Sequence, residues 1–293
     1  MLVLEEDYLE LRNYLGTDVQ GILGYEVFSR FVVEIDYEGR HLTITSPEFY
    51  KPRKKYEQFD IRIEDTKPYI QVPISLQNGK TVNAKLLVDT GASHGLMLEP
   101  LSDPAIEVPE KHITSLIGRG LAGEINGKIA RINSIEFGKY KLEQVVANFP
   151  DADDYGFPDS VETATVYRNG AIGGELLRRF TVVFNFPMGK MYLKRNPSFS
   201  RPFNYNLSGI TFKAKGIRLR NFVIADIRKG SSSDLAGLQV GDELLSINGI
   251  PVSEFNLNML NTAFDLHPGK KLKLELLRNG TVIRKKLVLI SQI

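Results

Sequence analysis

Short runs of alternating apolar and polar residues dominate this 293-residue chain and predict strands joined by tight turns. The runs YIQVPISL and VNAKLLV flank Asn78-Gly79, a dipeptide typical of two-residue hairpin turns. Further runs follow in EINGKIARINSIEF, where Asn126-Gly127 separates two alternating stretches, and in KLEQVVANF. The pattern therefore predicts a mainly β protein.

One internal repeat organises the first two thirds of the chain. Residues 21–44 read GILGYEVFSRFVVEIDYEGRHLTI, and residues 170–194 read GAIGGELLRRFTVVFNFPMGKMYLK. With one inserted residue near the end, Gly21, Gly24, Glu26, Arg30 and Phe31 match Gly170, Gly173, Glu175, Arg179 and Phe180. Each copy predicts a buried turn, a short helix and two strands joined by a glycine-containing turn. Such self-similarity indicates a duplicated architecture.

The two copies are preceded by unequal lengths of chain. A long stretch rich in strand signals, residues 57–169, lies before the second copy, whereas only residues 1–20 precede the first. The first unit is therefore expected to be truncated. Between the units, SPEFYKPRKKYEQFD is polar, basic and proline-containing, which predicts a linker. Its cations are predicted to form a solvated connector rather than a nucleic-acid site: Lys51, Arg53, Lys54 and Lys55.

The pattern changes after NPSFSRPFNYN to a series of short strands. These are SGITF, NFVIADI, DELLSING, KLKLELL and TVIRKKLVLI, with turns at GSSS, Asn248-Gly249 and Asn279-Gly280. NLNMLNTAF has helical spacing and predicts one short helix against these strands. The last part of the chain is therefore expected to be a compact β-rich domain.

Composition narrows the classes of function. A net charge of +2 gives no reason to expect nucleic acid or an anionic membrane as partner. The chain has no cysteine, which excludes thiolate nucleophiles, disulfides and cysteine-ligated zinc. No apolar run approaches the ~20 residues of a membrane span, and the first residues are acidic where a signal peptide is basic. The four histidines lack the spacing of metal ligands, so no metal or cofactor is expected: His41, His94, His112 and His267.

The stretch LLVDTGASHG, residues 86–95, carries the strongest candidate chemistry. Asp89 follows an apolar run directly, although an unpaired carboxylate is costly to bury. One interpretation is a strand that ends in an Asp-led turn; the other is a reactive carboxylate. His94 suggests Ser-His-Asp chemistry, but the G-x-S-x-G elbow of that chemistry is absent. His94 is therefore predicted to be a packing or surface residue.

The stretch GRGLAG, residues 118–123, matches the dinucleotide-binding pattern G-x-G-x-x-G. A nucleotide site needs this pattern between a buried strand and a helix. The alternating residues that follow favour a strand instead, so the nucleotide interpretation is disfavoured.

Because of these motifs, residues 57–198 resemble a retropepsin-like aspartic protease unit. LLVDTGAS matches the apolar-apolar-Asp-Thr-Gly-Ala/Ser signature of that family. AIGGELLRRF resembles the strand, glycine and helix that back the active-site loop, and GILGYEVFSRF resembles the same element of a preceding unit. The resemblance implies that Asp89 is one of two catalytic aspartates.

The resemblance also implies roles for the neighbours of Asp89. Thr90 would tie its loop to the opposite loop, Gly91 would let backbone N–H groups approach the carboxylate, and Ser93 would hydrogen-bond the outer oxygen. The glycine-rich stretch becomes a candidate flap that closes over a peptide, with an ordinary mobile loop as the alternative. The predicted flap residues are Gly118, Arg119, Gly120, Leu121 and Gly123.

Residues 205–293 resemble a PDZ domain, most closely in KGSSSDLAGLQVGDELLSINGIPV. The resemblance implies that a peptide adds as a strand beside Phe212, with its C-terminus received by backbone N–H groups. The predicted peptide-binding residues are Gly209, Ile210, Thr211, Phe212, Leu257, Leu260 and Asn261. The alternative is a PDZ fold that serves only as an intramolecular brace.

The combination is similar to bacterial two-unit aspartyl proteases with a C-terminal PDZ domain. The expected organisation is a first-lobe remnant (1–47), a linker (48–56), a second retropepsin-like β-barrel lobe (57–198) and a PDZ domain (205–293). The resemblance implies a polypeptide substrate, and a peptide C-terminus or internal segment bound at the PDZ domain. It also favours the bacterial periplasm or cell envelope.

The expected function is an aspartic endopeptidase that activates water between Asp89 and a second aspartate. Only one D-T-G is present, so the second aspartate is expected from a missing upstream segment. A homodimer in which two copies of Asp89 meet is an alternative. A catalytically silent protein that binds peptides is the other hypothesis.

Overall fold

The computed structural model describes residues 10–120, 123–152 and 166–293, and it confirms a mainly β fold. The strands are β1 (Val32–Asp36), β2 (His41–Thr45), β3 (Glu57–Asp60), β4 (Arg62–Glu64), β5 (Lys67–Ser75), β6 (Thr81–Val88), β7 (Leu96–Leu98), β8 (His112–Gly120), β9 (Gly123–Phe137), β10 (Tyr140–Pro150), β11 (Gly170–Ile172), β12 (Phe180–Asn185), β13 (Lys190–Arg195), β14 (Ile210–Lys215), β15 (Asn221–Ile227), β16 (Glu243–Ile247), β17 (Ile250–Pro251), β18 (Lys271–Arg278) and β19 (Thr281–Val288). The helices are α1 (Leu11–Leu15), α2 (Tyr25–Phe28), α3 (Gly174–Leu177), α4 (Ser232–Leu235) and α5 (Leu257–Ala263). Within the described ranges, no helix has the length and apolarity needed to cross a membrane.

The chain forms two compact units. The first, called the lobe unit below, comprises Ile22–Ile113 and the described residues of Ile125–Phe203. The second, called the C-terminal unit, comprises the described residues up to Gly21 and of Thr114–Glu124, together with Asn204–Ile293.

An eight-stranded sheet, in the order β4-β5-β6-β11-β7-β10-β9-β8, carries the core of the lobe unit. β5 also pairs with β9, so this sheet closes on itself. The predicted hairpin of β5 and β6 is confirmed, and Gly79 takes the left-handed conformation at its turn, with φ of 81°. The closed sheet surrounds fully buried side chains that include Leu86, Leu96, Ile132, Phe137 and Phe149.

Asn126-Gly127 does not form a turn, because β9 runs through it as one strand. Gly127 pairs with Pro150 in β10, and the same register continues to the Phe137–Tyr140 pair, with a gap only at Gln144. Gly127 is also absent from the left-handed region that a two-residue hairpin turn requires. The long continuous partner strand therefore overrides the local turn preference of this dipeptide.

A second sheet, in the order β2-β1-β12-β13-β3, brings the two copies of the repeat together. The repeat aligns Val33 with Val182 and Ile35 with Phe184. Val33 pairs with Phe184, and Ile35 pairs with Val182, on either side of the Glu34–Val183 pair. The two copies are thus related by a local two-fold axis through that central pair.

The repeat predicts a buried turn in each copy, but only the second copy has one. Residues 170–173 are buried, whereas residues 21–24 are exposed. In the second copy β11 lies between β6 and β7, which cover it on both sides. No corresponding pair of strands covers residues 21–24 within the described part of the chain.

The C-terminal unit contains a sheet in the order β14-β15-β16-β18-β19, with β17 paired to β16. The predicted helix is confirmed as α5, whose N-cap side chain, Asn256, accepts a hydrogen bond from Met259 N. The predicted turns at Asn248-Gly249 and Asn279-Gly280 have left-handed backbone at both residues. β14 is an edge strand, so one side of it has no strand partner among the residues that the structure describes.

Candidate active site and peptide groove

Strand β6 delivers Asp89 to the surface of the lobe unit. Its residues alternate between buried and accessible positions, and Asp89 follows its last residue, Val88. Asp89 N donates to Ile172 O at 2.9 Å. The carboxylate oxygen Oδ1 accepts from Gly91 N at 2.9 Å and from Ala92 N at 3.1 Å. The Asp89 side chain therefore stabilises the turn that follows it, as in an Asx turn.

Two glycines allow β11 and α3 to pack directly behind this turn. A Cβ on Gly170 would lie 1.9 Å from Met97 O, and one on Gly173 would lie 2.3 Å from His94 O. Gly173 N donates to Gly95 O at 2.9 Å, and Gly174 N donates to Ala92 O at 2.7 Å. The stretch GAIGG thus packs behind the Asp89 turn through backbone contacts that leave no room for a side chain at Gly170 or Gly173.

A cavity of about 260 Å³ opens beside Asp89. Its lining residues come from both copies of the repeat and from the Asp89 turn: Leu23, Tyr25, Phe28, Thr66, Lys67, Pro68, Leu87, Asp89, Thr90, Phe184 and Phe186. Phe28 of α2 packs edge-on against Phe184, with ring centroids 5.6 Å apart. Among these residues Asp89 is the only carboxylate.

Thr90 and Ser93, the other predicted catalytic-loop residues, are exposed on the same turn. Thr90 lines the cavity beside Asp89. Within the described residues, both hydrogen bonds to Asp89 come from backbone N–H groups and not from the Ser93 hydroxyl. The hydrogen bond predicted for Ser93 therefore stays a prediction.

His94 lies within the electrostatic range of Asp89, but its surroundings make it a packing residue. Burial lowers the pKa of His94, and the charge of Asp89 only partly opposes this shift. Its buried Nε2 has no hydrogen-bond partner among the described residues. The imidazole is therefore neutral near pH 7, as a packing role requires.

The predicted flap lies on the β8–β9 hairpin. Gly118, Arg119 and Gly120 end β8, Gly123 begins β9, and Leu121 lies outside the described residues. The strand that follows GRGLAG excludes the helix that a dinucleotide site requires. The described residues of Thr114–Glu124 belong to the C-terminal unit.

The predicted peptide-binding residues lie on β14, on its preceding loop and on α5. Ile210, Phe212, Leu257 and Leu260 are buried, Thr211 is half-buried, and Asn261 is exposed. Phe212 packs on Phe264, with ring centroids 5.1 Å apart. β14 and α5 therefore pack together through buried apolar side chains, and the peptide groove between them stays a prediction.

Two residues that the sequence analysis missed hold the loop before β14. Gly209 N donates to Asn206 Oδ1 at 2.9 Å, and Ile210 N donates to Ser208 Oγ at 3.2 Å. Gly209 has a φ of 76°, and a Cβ there would lie 2.3 Å from the Cβ of Ser231. Asn and Ser within three residues of a glycine are a signal for such a side-chain-capped loop.

Two family models match parts of the chain. The aspartyl protease model matches residues 72–174, and the PDZ domain model matches residues 223–278. The chain therefore carries an aspartyl protease-type domain followed by a PDZ domain, as the motifs predicted. Asp89 and the stretch AIGG both lie within the first match.

Several solved structures are similar to parts of the chain. A retropepsin-like aspartic protease from Rickettsia conorii is 20% identical over 50% of this chain and 96% of its own, with a TM-score of 0.31. A serine endoprotease from Yersinia pestis is 15% identical over 92% of this chain and 99% of its own, with a TM-score of 0.28. A photosystem II D1 C-terminal processing protease is 16% identical over 29% of this chain, with a TM-score of 0.27, and the match spans 23% of that protease.

Proposed function

We propose that this chain contributes one lobe and one catalytic carboxylate, Asp89, to an aspartic endopeptidase. The observation that carries the proposal is the position of Asp89 in the domain that matches the aspartyl protease model. Its carboxylate is fixed by two backbone N–H groups beside an open cavity. Within the described residues, no hydrogen bond or ion pair occupies the other oxygen, Oδ2.

The reaction needs two facing carboxylates around one water molecule. Like charges about 3 Å apart cannot both ionise, so one carboxyl keeps a proton while the other is charged. The charged carboxylate takes a proton from water, and the protonated one donates a hydrogen bond to the scissile carbonyl. In this proposal Asp89 is one member of the pair, and Gly91 N and Ala92 N hold it in place.

The second carboxylate comes from outside the residues described here. The local two-fold axis between the repeat copies supports an upstream unit as its source. A homodimer would place the β12–β13 hairpin of a second chain where β1, which also pairs with β2, already pairs with β12 of the same chain. The occupied edge of β12 therefore favours an upstream lobe over a second copy.

Cleavage of a mixed peptide library tests the proposal. The protein with its upstream sequence should cleave, an inhibitor that mimics the tetrahedral intermediate should block cleavage, and Asp89→Asn should abolish it. A mixing assay then identifies the source of the second aspartate. Added Asp89→Asn chain should leave the rate of a fixed amount of wild-type protein unchanged if the site forms within one chain, but should lower it in an exchanging homodimer.

The domain organisation remains part of the proposal: a first-lobe remnant (1–47), a linker (48–56), a second lobe (57–198) and a PDZ domain (205–293). In this arrangement the PDZ domain binds peptide or substrate beside β14, and polypeptides are the partners. Two features support this role: the residues of β14 and α5 that face each other are apolar, and β14 pairs with a strand on one side only within the described residues.

A peptide-binding protein without hydrolytic activity is the second candidate. It is favoured by one observation, that Asp89 is the only carboxylate among the described residues that line its cavity. Under this candidate Asp89→Asn leaves peptide binding intact, and no inhibitor-sensitive cleavage is found with the upstream sequence present.

A further inference from the structure

Residues Glu10–Gly16, called the N-terminal segment below, lie against the free edge of β14. Asn13 Nδ2 donates to Ala214 O at 3.0 Å, and Arg12 Nη2 donates to Ile217 O at 2.8 Å. Glu10 forms an ion pair with Lys213. Ala214 belongs to β14, whereas Ile217 lies in the turn that follows it. A peptide that adds as a strand uses backbone carbonyls of the edge strand, so the contact to Ala214 O covers part of the peptide edge of β14.

The same segment contacts α5 on the other side of the groove. Gly16 ends α1 with a φ of 66°, and a Cβ at this position would lie 2.5 Å from the Cβ of Leu257. Leu257, a predicted peptide-binding residue, is only 3% exposed. Glycine is required here both by the left-handed backbone and by the close approach to Leu257. The segment therefore spans the groove from β14 to α5.

At the other end of the groove, two of the four N–H groups predicted to receive a peptide C-terminus already donate to side chains of the loop. The N–H groups of Gly209 and Ile210 already donate to the side chains of Asn206 and Ser208. A terminal carboxylate would have to displace both side chains before it could accept from these two N–H groups. An internal segment needs no carboxylate site, and Glu10–Gly16 is such a segment.

We propose that the groove between β14 and α5 binds an internal peptide segment, and that Glu10–Gly16 is its tethered ligand, which excludes external peptides until it is displaced. The proposal rests on the assignment of this groove as the peptide site, but it does not depend on proteolysis. A tethered ligand acts at an effective concentration in the millimolar range. It therefore weakens the apparent affinity for an external peptide by at least ~10-fold when the tethered contacts are favourable.

Tyr14 extends the effect of the segment to the predicted flap. Arg119 Cζ lies 4.4 Å from the centroid of the Tyr14 ring, and Lys213 Nζ lies 4.9 Å from it. These three residues come from the N-terminal segment, from β8 and from β14. Displacement of the segment by an external peptide would remove the aromatic partner of Arg119, so peptide binding and the order of residues 114–120 are coupled.

Binding of a labelled peptide to the full chain tests the proposal. The probe is ELRNYLGTD, residues 10–18, with both termini blocked. Gly16→Val should dislodge the tethered segment, because any Cβ collides with Leu257, and should bind the probe at least ~10-fold more tightly than the wild type. Gln20→Ala, an exposed position outside the segment, is the matched control and should bind as the wild type does.

Hydrogen exchange on the same proteins, together with a second variant, provides a test that does not depend on probe binding by Gly16→Val alone. β14 and residues 114–120 should lose protection in Gly16→Val and also in Asn13→Asp, which places a carboxylate against Ala214 O. Equal probe binding by wild type and both variants would overturn the proposal, as would unchanged protection of β14. Because neither readout measures cleavage, a failure here is distinct from a failure of the proposed protease.

Discussion

Gly173 is the position at which a single methyl group should disturb the Asp89 turn most directly. In Gly173→Ala the added Cβ would lie 2.3 Å from His94 O and 2.9 Å from Ala92 O. Both atoms belong to the backbone of the loop that follows Asp89, so neither can move aside by a side-chain rotation. We expect the loop and α3 to separate, which weakens the hydrogen bonds from Gly173 N and Gly174 N.

The free-energy cost follows from these contacts. Overpacking in a well-packed region costs about 1–3 kcal/mol, and each weakened backbone hydrogen bond adds about 0.5–1.5 kcal/mol. Loss of glycine flexibility in the unfolded chain offsets about 0.4–1 kcal/mol of this. A net destabilisation of about 3 kcal/mol lowers the melting temperature of a unit of this size by about 6–12 °C.

Calorimetry of the full chain measures this shift in the transition of the lobe unit. Gly95→Ala is the matched control, because Gly95 is also buried in this loop but a Cβ there has its nearest neighbour at 3.7 Å. The control should melt as the wild type does or slightly higher, since only the unfolded-state effect remains. If Gly173→Ala and Gly95→Ala have the same melting temperature, the close packing of α3 on the loop after Asp89 does not hold the Asp89 turn.

Three further predictions concern buried polar groups of the lobe unit. Burial lowers the pKa of His94 below its ordinary value of 6.5, so on acidification the unfolded chain binds a proton at a higher pH than the folded lobe does. The melting temperature should therefore fall as the pH drops from 7 towards 5. The fall should be shallower in His94→Gln. Glu99 is 4% exposed and accepts a hydrogen bond from Arg168 at 2.7 Å. Arg168→Met should therefore lower the free energy of unfolding by about 3–5 kcal/mol, measured by denaturant unfolding. The double variant with Glu99→Gln should recover part of this loss, and no recovery would refute the pairing. The buried Arg179 guanidinium lies 3.6 Å from the centroid of the Phe203 ring and donates to Pro202 O at 3.2 Å. Arg179→Met should therefore increase hydrogen exchange of residues 198–203. Arg178→Met, at the exposed neighbouring position, should not.

Local patterns predicted the strands and the Asp89 turn well, because these depend on neighbours in sequence. Alternation with period two identified β5 and β6, and Asn78-Gly79 identified their turn. Asp89 before Thr-Gly predicted an Asp-led turn, which the hydrogen bonds to Oδ1 confirm. The repeat predicted two similar helix–hairpin elements, and both are present.

Features that depend on distant parts of the chain were not predictable in this way. Asn126-Gly127 has the composition of a turn, but pairing with β10 keeps it extended. The first-copy turn at 21–24 is exposed because burial of such a turn depends on flanking strands, not on its own glycines. The docking of Glu10–Gly16 on β14 joins residues about two hundred positions apart through side chains that show no periodic pattern.

Cleavage by the protein together with the proposed upstream lobe, compared with its Asp89→Asn variant, tests the central claim most directly. The two differ by one oxygen-to-nitrogen exchange at the proposed catalytic carboxylate, and probe binding at the PDZ groove serves as the control for folding. We predict inhibitor-sensitive cleavage of a peptide library by the wild type and none by Asp89→Asn, with equal probe binding. Cleavage that survives Asp89→Asn, or binding without cleavage in both proteins, would contradict the assignment of Asp89 as a catalytic aspartate.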